Sequence, residues 1–501
     1  MITQLEFNAT KQNNRELHYK INLLNYKFQL MDELSGVALN MSFSLDANSD
    51  IRRIGSISIS PNDPNAFKMQ AGSKIWLDKY VQVFVGIKEQ RTQEIVYTNM
   101  GIYMVNNPSQ NFSSTDDTIT IGLLDLMAKL TGERNGNLDG YDNPTYHIDA
   151  GENIRDVMIT VLQECGFTKY SINILPEDYQ TTQIEINVDN TQSWYKVLSE
   201  LDYVNTNYQM YFDLDGVFHY ERIPSGKNEQ VMVNDEIWKE CFISYNKSNS
   251  YSDIKNHVVV IGKTHEISHF SSSVTKNTST VTATDETSIT VNQYSMSISS
   301  VTSYWDSLKI GFVSPSSLIS SNAFINVNGL GAKPILNRKH EWDNDINTSG
   351  VYYVAQLQEV DTPISLSIGG KTYQTTSYWE FLGEVTPSGY AKEENPESPF
   401  YVNGTMGDVV ITLSGGEYDN ITTSDLATQR AQWELYNRCR LQDNIQLTCV
   451  PIYWMDVNWV IEITLPDESE PQKFIVKQVS TDCAVGGVQT ITAMKYYSFY
   501  E

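Results

Sequence analysis

The string His265-Glu266-Ile267-Ser268-His269 has the spacing of a zinc site. On a helix, two imidazoles four residues apart share one face and can grip the ion, and the glutamate beside them can act as general base. One reading of the chain is therefore a zinc metallopeptidase built on residues 265–269. The flanks oppose it. The run from His257 to Ile261 before it and Phe270 to Thr275 after it are β-prone and poor in helix formers. In a strand the two histidines would stand about 13 Å apart, too far for one ion. The expectation is no metal site, no catalytic residue and no cofactor.

Other strings imitate chemistry and fail at a required position. Gly262-Lys263-Thr264 follows an apolar run, as the end of a phosphate loop does, but His257 stands where the loop's first glycine is needed. Asp46, Asn48 and Asp50 begin like a calcium loop, yet Ile51 replaces the turning glycine and Ile57 the closing carboxylate. The five cysteines are Cys165, Cys241, Cys439, Cys449 and Cys483. Their odd number and wide spacing suit neither a disulfide framework nor a zinc knuckle. Reduced thiols and folding in a cytoplasm are expected.

Composition points the same way, toward assembly rather than catalysis. At 501 residues the chain exceeds one core and suggests three or four domains. Charged residues make up only 19%, replaced by Ser, Thr, Asn, Gln and 30 Tyr, which suits β structure with wide polar faces. The net charge of −26 repels phosphate backbones, so no sequence-specific nucleic-acid role is expected. The polar start of the chain offers no secretory signal, and no long apolar stretch predicts stable membrane insertion.

The elements follow from periodicity. Strands are predicted over 75–87, 94–105 and 117–125, rich in Val, Ile, Tyr and Thr. Asp149 and Glu152 look like a capping box ahead of a helix whose stripe is Ile154, Val157, Met158, Val161 and Leu162. Trp194, Val197, Leu198 and Leu201 mark a second helix, and 208–221 a hairpin turning at Asp215-Gly216. Residues 263–350 are dominated by Ser, Thr and Asn and read as an inserted β region with long loops. A helix with Ala427, Ala431, Leu435 and Cys439 on one face follows, capped by Thr423 or Ser424, and then β structure to the end.

Two stretches share a plan. Near the start, Trp76-Leu77-Asp78 leads into Val81, Val83 and Val85, then into a later strand with Thr118-Ile119-Thr120. Near the end, Trp454-Met455-Asp456 leads into Trp459, Ile461 and Ile463, then Thr490-Ile491-Thr492. Each reads as a small antiparallel domain in which a Trp-x-Asp turn precedes a strand with one buried face. Two like domains per chain would let a trimer present six around its axis.

This layout resembles the phage tail hub family: baseplate hubs, late-control-D-like proteins and the hub half of valine-glycine repeat proteins. The resemblance rests on the first β domain with Trp76-x-Asp78 and the Thr118–Leu126 run. It rests also on the middle unit with Trp194–Leu201 and the Tyr208–Ile223 hairpin, and on the helix from Ala427 to Leu441 with the Asn444–Ile463 segment. It fails over about 263–420. It implies a mainly β fold with α+β: two tube-like antiparallel β domains, a middle α+β domain and an inserted β-rich region. The expected domains are 1–135, 140–235, 236–262 with 425–501 as the second tube-like domain and its helix, and 263–424 as the insert. The resemblance further implies a virion tail-tip hub, not an enzyme. That hub is a homotrimer that contacts a distal tail or tail tube protein ring, the tape measure protein's C-terminus and a tip spike or fibre protein.

A second alternative, a glycan- or receptor-binding tail protein, draws on the aromatic residues around the insert. Tyr304, Trp305, Tyr378 and Trp379 are the candidate contact surface, since Tyr and Trp favour interfaces and stack on sugars.

Overall fold

The computed structural model describes residues 3–12, 14–34, 38–60, 67–113, 117–138, 145–182, 185–440 and 444–499. The start expected for the α+β domain at 140 and the helix end expected at Leu441 lie outside them. The fold is mostly strand, 44% against 12% helix.

The first β domain holds helix α1 (Gln4–Thr10) and strands β1 (Leu17–Leu24), β2 (Leu30–Glu33), β3 (Ala38–Asp46), β4 (Arg53–Ile59), β5 (Tyr80–Lys88), β6 (Ile95–Phe112) and β7 (Asp117–Asp125). Alternation builds it: Val81, Val83, Val85 and Ile87 of β5 and Ile119, Ile121 and Leu123 of β7 all point into one core. Thr118 and Thr120 sit on the opposite, half-exposed face.

A compact α+β unit follows: β8 (Thr145–Ile148), α2 (Ile154–Glu164), β9 (Tyr170–Ile172), β10 (Ile186–Asp189), α3 (Trp194–Asp202), β11 (Tyr208–Phe212) and β12 (Phe218–Arg222). The apolar stripes of both helices are buried, with Ile154, Met158, Val161, Leu162, Val197, Leu198 and Leu201 almost without exposure. The cap differs from the expected box. Asn153 caps α2 by accepting from the Asp156 N–H at 3.2 Å. Asp149, four residues earlier, is engaged elsewhere.

Strand β13 (Val231–Val233), helix α4 (Asp235–Cys241) and strand β14 (Phe242–Ser248) lead to β15 (His257–Ile261). The insert is more ordered than long loops. Strands β16 (His269–Ser271), β17 (Val274–Thr282), β18 (Ser288–Met296), β19 (Lys309–Val313), β20 (Ala323–Val327), β21 (Lys333–Pro334), β22 (Tyr352–Ile368) and β23 (Lys371–Glu384) form two four-stranded sheets, β16-β19-β22-β23 and β17-β18-β20-β21. They enclose Tyr294, Phe312, Ile325 and Trp379 in one cluster and Val291, Phe324, Leu366 and Tyr373 in another, giving a β-sandwich.

The chain leaves the sandwich through β24 (Ser388–Lys392), β25 (Val410–Ser414) and α5 (Ser424–Arg438), then ends in β26 (Asn444–Cys449), β27 (Val460–Ile463), β28 (Gln472–Asp482) and β29 (Gln489–Lys495). Thr423 caps α5 through the Leu426 N–H. Strand β15 and helix α5, expected in the second tube-like domain, form a separate layer. β15 lies between β24 and β25, and α5 packs on that sheet through Ala427 and Ala431. A side chain at Gly389 of β24 would meet Thr428 N at 2.2 Å, so only glycine lets the helix sit this close.

The second β domain is β14-β26-β29-β28-β27, with β13 parallel to β27. Its meander β27-β28-β29 repeats the meander β5-β6-β7, and β14-β26 stands to it as β3-β4 stands to the first. The two domains join: β28 pairs antiparallel with β3, Gln478 opposite Asp46 through Asp482 opposite Ser42. One core runs beneath both, from Met41, Phe43 and Val83 to Leu447, Ile461 and Val476. Among the described residues no helix is long and apolar enough to cross a membrane.

Candidate functional site

The densest polar arrangement lies where β3 meets β28. Arg52 ends the turn after β3 and Arg53 opens β4, and Asp456 ends the Trp454-Met455-Asp456 turn before β27. Arg53 donates to Asp456 Oδ2 and to the Phe212 carbonyl. Arg52 Nη2 lies 3.3 Å from Asp456 Oδ1 and donates to the Val457 carbonyl at 2.7 Å. Arg52 Nη1 donates to Gln209 Oε1 at 3.1 Å, which Asn458 Nδ2 also reaches at 2.8 Å. The Arg52 guanidinium lies 4.1 Å from the centre of the Tyr211 ring. Both β domains and the α+β hairpin are thus tied at one point.

Burial sets the electrostatics. The Arg53 side chain is 3% exposed and Asp456 16%. Burial alone would raise the Asp456 carboxyl, but Arg53 and Arg52 outweigh it and hold it below the usual carboxylate range. Burial pushes Asp125 up to about 6, against the N–H groups of Arg53 and Met127 that donate to it. Lys477, at the bulge of β28, has Asn458 Oδ1 at 3.1 Å. Burial, then Arg440 and Arg52, bring it down to about 8. A cavity of about 600 Å³ adjoins the pair, walled in part by Phe7, Tyr103, Ile237, Trp454 and Trp459.

The paired sequence signatures meet different fates. Val81, Val83 and Ile461 are core. Thr490 and Thr492 face outward on β29, as Thr118 and Thr120 do on β7. Trp454 packs on the core with its ring 6.4 Å from Trp459. Trp76 is half-buried in the turn before β5. Asp78 is exposed, with Lys79 Nζ at 2.6 Å, whereas Asp456 is clasped by two arginines. Arg52 and Arg53 were missed by the sequence reading. Two adjacent arginines in a chain poor in charge were the available signal.

The His265–His269 string is not helical: it is irregular up to β16, which begins at His269. His269 instead contacts Ser300 Oγ at 2.7 Å and the Trp305 ring at 5.5 Å. Burial, with Lys263 and Lys309 nearby, lowers the His265 imidazole. Among the described residues no group of three potential ligands is placed to hold a metal. The aromatic contact surface is also corrected. Trp379 and Tyr378 are buried, and Tyr304 packs edge-on to Trp379 at 5.7 Å. Only Trp305 of the four is exposed. Trp379 and Tyr378 point from opposite faces of β23 into the two clusters of the sandwich, and Tyr304 packs on the first from the segment before β19.

A second polar cluster fixes the sandwich to the α+β unit. Arg338 reaches Asp149 at 3.0 Å, Glu380 at 2.7 Å, and Glu185. His147 lies 3.0 Å from Asp149. Its imidazole is raised, chiefly by Asn187, with Asp149 and Glu185 adding to it.

Residues 397–500 match a family model described as a domain of unknown function, DUF5048. No curated protein matches the sequence. A tail protein from Neisseria meningitidis MC58 superposes with a TM-score of 0.49 at 7% identity, over 95% of this chain and 96% of that one. The 43 kDa tail protein of prophage MuSo2 from Shewanella oneidensis gives 0.48 at 10% identity, over 96% and 98%. Prophage tail protein gp18 from Listeria monocytogenes EGD-e gives 0.45 at 6%, over 95% and 94%. Each of these superpositions extends over nearly the whole chain.

Proposed function

We propose that the protein is a structural part of a phage-type tail, the hub of its tip or baseplate, and that it works as a homotrimer. The observation that carries this reading is the joint between two like β domains. Each domain meets the other with a different surface. The second offers the outer half of β28 with Asp456, and the first offers β3 with Arg52 and Arg53. A contact between unlike surfaces of like units is head to tail, and such contacts close into a ring when the rotation between units divides the full circle. Three chains then supply six like domains.

The mechanism is geometric. A threefold object with six like domains can seat on a hexameric distal tail or tail tube ring. Its other face can hold a threefold spike or fibre, and its lumen the end of a tape measure protein. The negative charge of the chain would keep passing DNA from adhering to the walls.

Light scattering across a concentration series tests the reading. A stable species of three times 56.9 kDa is expected. A monomer at every concentration, even with the purified tail tube ring added, would overturn it.

A further inference from the structure

The joint inside the chain has two unused counterparts in the same sheet. β28 pairs with β29 along one edge. Its other edge is shared by β27, over Gln472–Ile475, and β3, over Gln478–Asp482. β6 repeats this arrangement. It pairs with β7 along one edge, and its other edge meets β5 only as far as Met104. From Asn106 to Phe112 that edge has no strand partner among the described residues, and Phe112 is 76% exposed. The place that β3 fills beside β28 is open beside β6. The strand equivalent to β3 is β14, since each pairs with the strand that flanks its meander. β14 is an end strand of the sheet, paired only with β26.

The charges repeat in the same sense. Ser58 of β4 pairs with Thr120, and Gln446 of β26 pairs with Thr492. Aligning Thr118-Ile119-Thr120 with Thr490-Ile491-Thr492 makes Gln446 the counterpart of Ser58. Arg52 stands six residues before Ser58, and Arg440 stands six before Gln446. Their surroundings match. Arg52 lies 4.1 Å from the Tyr211 ring centre, and Arg440 lies 4.4 Å from that of Tyr436. Arg52 has a carboxylate. Arg440 has none among the described residues; its Nη2 donates to Asn437 Oδ1 at 3.4 Å, and its Nε, like that of Arg52, is buried without a hydrogen bond. The carboxylate equivalent to Asp456 is Asp78, on the Trp-x-Asp turn before β5, and it is exposed beside Lys79.

We infer that Asp78 of one chain pairs with Arg440 of a second copy, while the Asn106–Phe112 edge of β6 pairs antiparallel with β14 of that copy. The inference rests on the trimeric reading and names its contact surface. Strand, turn carboxylate and arginine all transpose together. The second domain's β28 and Asp456 become the first domain's β6 and Asp78, and β3 and Arg52 become β14 and Arg440. Closure also covers two open sheet edges, which would otherwise invite uncontrolled association.

The test is a charge exchange in the full-length chain, read by analytical ultracentrifugation. Asp78→Arg and Arg440→Asp should each raise the concentration at which trimers dissociate by about tenfold or more. The double variant should recover most of the loss. Because Arg440 also stacks within its own chain, Asp78→Asn, on an exposed turn, gives an independent reading and should weaken trimers alone. Gln110→Pro removes a donor from the open edge of β6 and should abolish them, with circular dichroism unchanged. Trimers indifferent to Asp78→Asn, or a double variant no better than either single, would overturn the contact and leave the trimer standing. A wild-type chain that never forms trimers would remove both.

Discussion

Asp456 holds two guanidiniums that have almost no access to water, so its removal strands a buried charge. Asp456→Ala should cost about 3–5 kcal/mol in urea unfolding, whereas replacing Arg52, Arg53 and Asp456 together with apolar residues should cost much less. The pH dependence follows in sign. The folded carboxyl is held below its unfolded value near about 4. Its contribution is fully present above that value and is lost as pH falls through the lower folded one. Asp456→Asn should therefore flatten the acid limb of the stability curve. Lys477 behaves oppositely to a paired base: its folded value is lowered to about 8, so the buried ammonium costs stability at neutral pH. Lys477→Met should stabilise the protein at pH near 7 by roughly 1 kcal/mol or more, and the gain should shrink as pH rises past 8 toward 10. The sequence displayed Asp456 through its repeat with Asp78, but not its partners. Arg52 and Asp456 are joined only by tertiary pairing of β3 with β28, and no local period encodes that.

Elements whose burial is local were legible, and those built by distant pairing were not. α2 and α3 bury the stripes that their spacing displays, and the Asp215-Gly216 turn closes the β11-β12 hairpin. β15 reads as a buried strand in sequence, yet its neighbours β24 and β25 come more than a hundred residues later, so its layer was assigned wrongly. The sandwich was hidden because its strands are polar on one face and its cores small. The contact of α5 with β24 allows a direct check. Gly389→Ala would drive a methyl into Thr428 N and should lower the thermal midpoint by several degrees, with a cost of about 1–3 kcal/mol. The sandwich is held to the α+β unit by Arg338 among three carboxylates. Arg338→Ala should leave each part folded but expose the connections at 262–268 and 385–387, seen as faster limited proteolysis there.

Net charge governs how readily whole copies approach one another. Each chain carries −26, so a trimer carries three times that, −78. Repulsion of this size opposes assembly over distances longer than any single contact. The Debye length falls from above about 10 Å below 0.1 M salt to about 3 Å at 1 M. Added salt should therefore favour the trimer, because strand pairing and apolar burial at the joint are short-ranged and little screened. The proposed Asp78–Arg440 pair would work in the other direction, since salt weakens an exposed pair. The two effects separate in one experiment. Wild-type trimers should tighten with salt, and Asp78→Asn trimers, weaker at low salt, should tighten more steeply and approach wild type at high salt. Sedimentation across a salt series reads both slopes. Parallel slopes would mean that Asp78 lies outside the contact. Loosening of the wild-type trimer by salt would mean that specific ion pairs, rather than strand edges, hold the copies together.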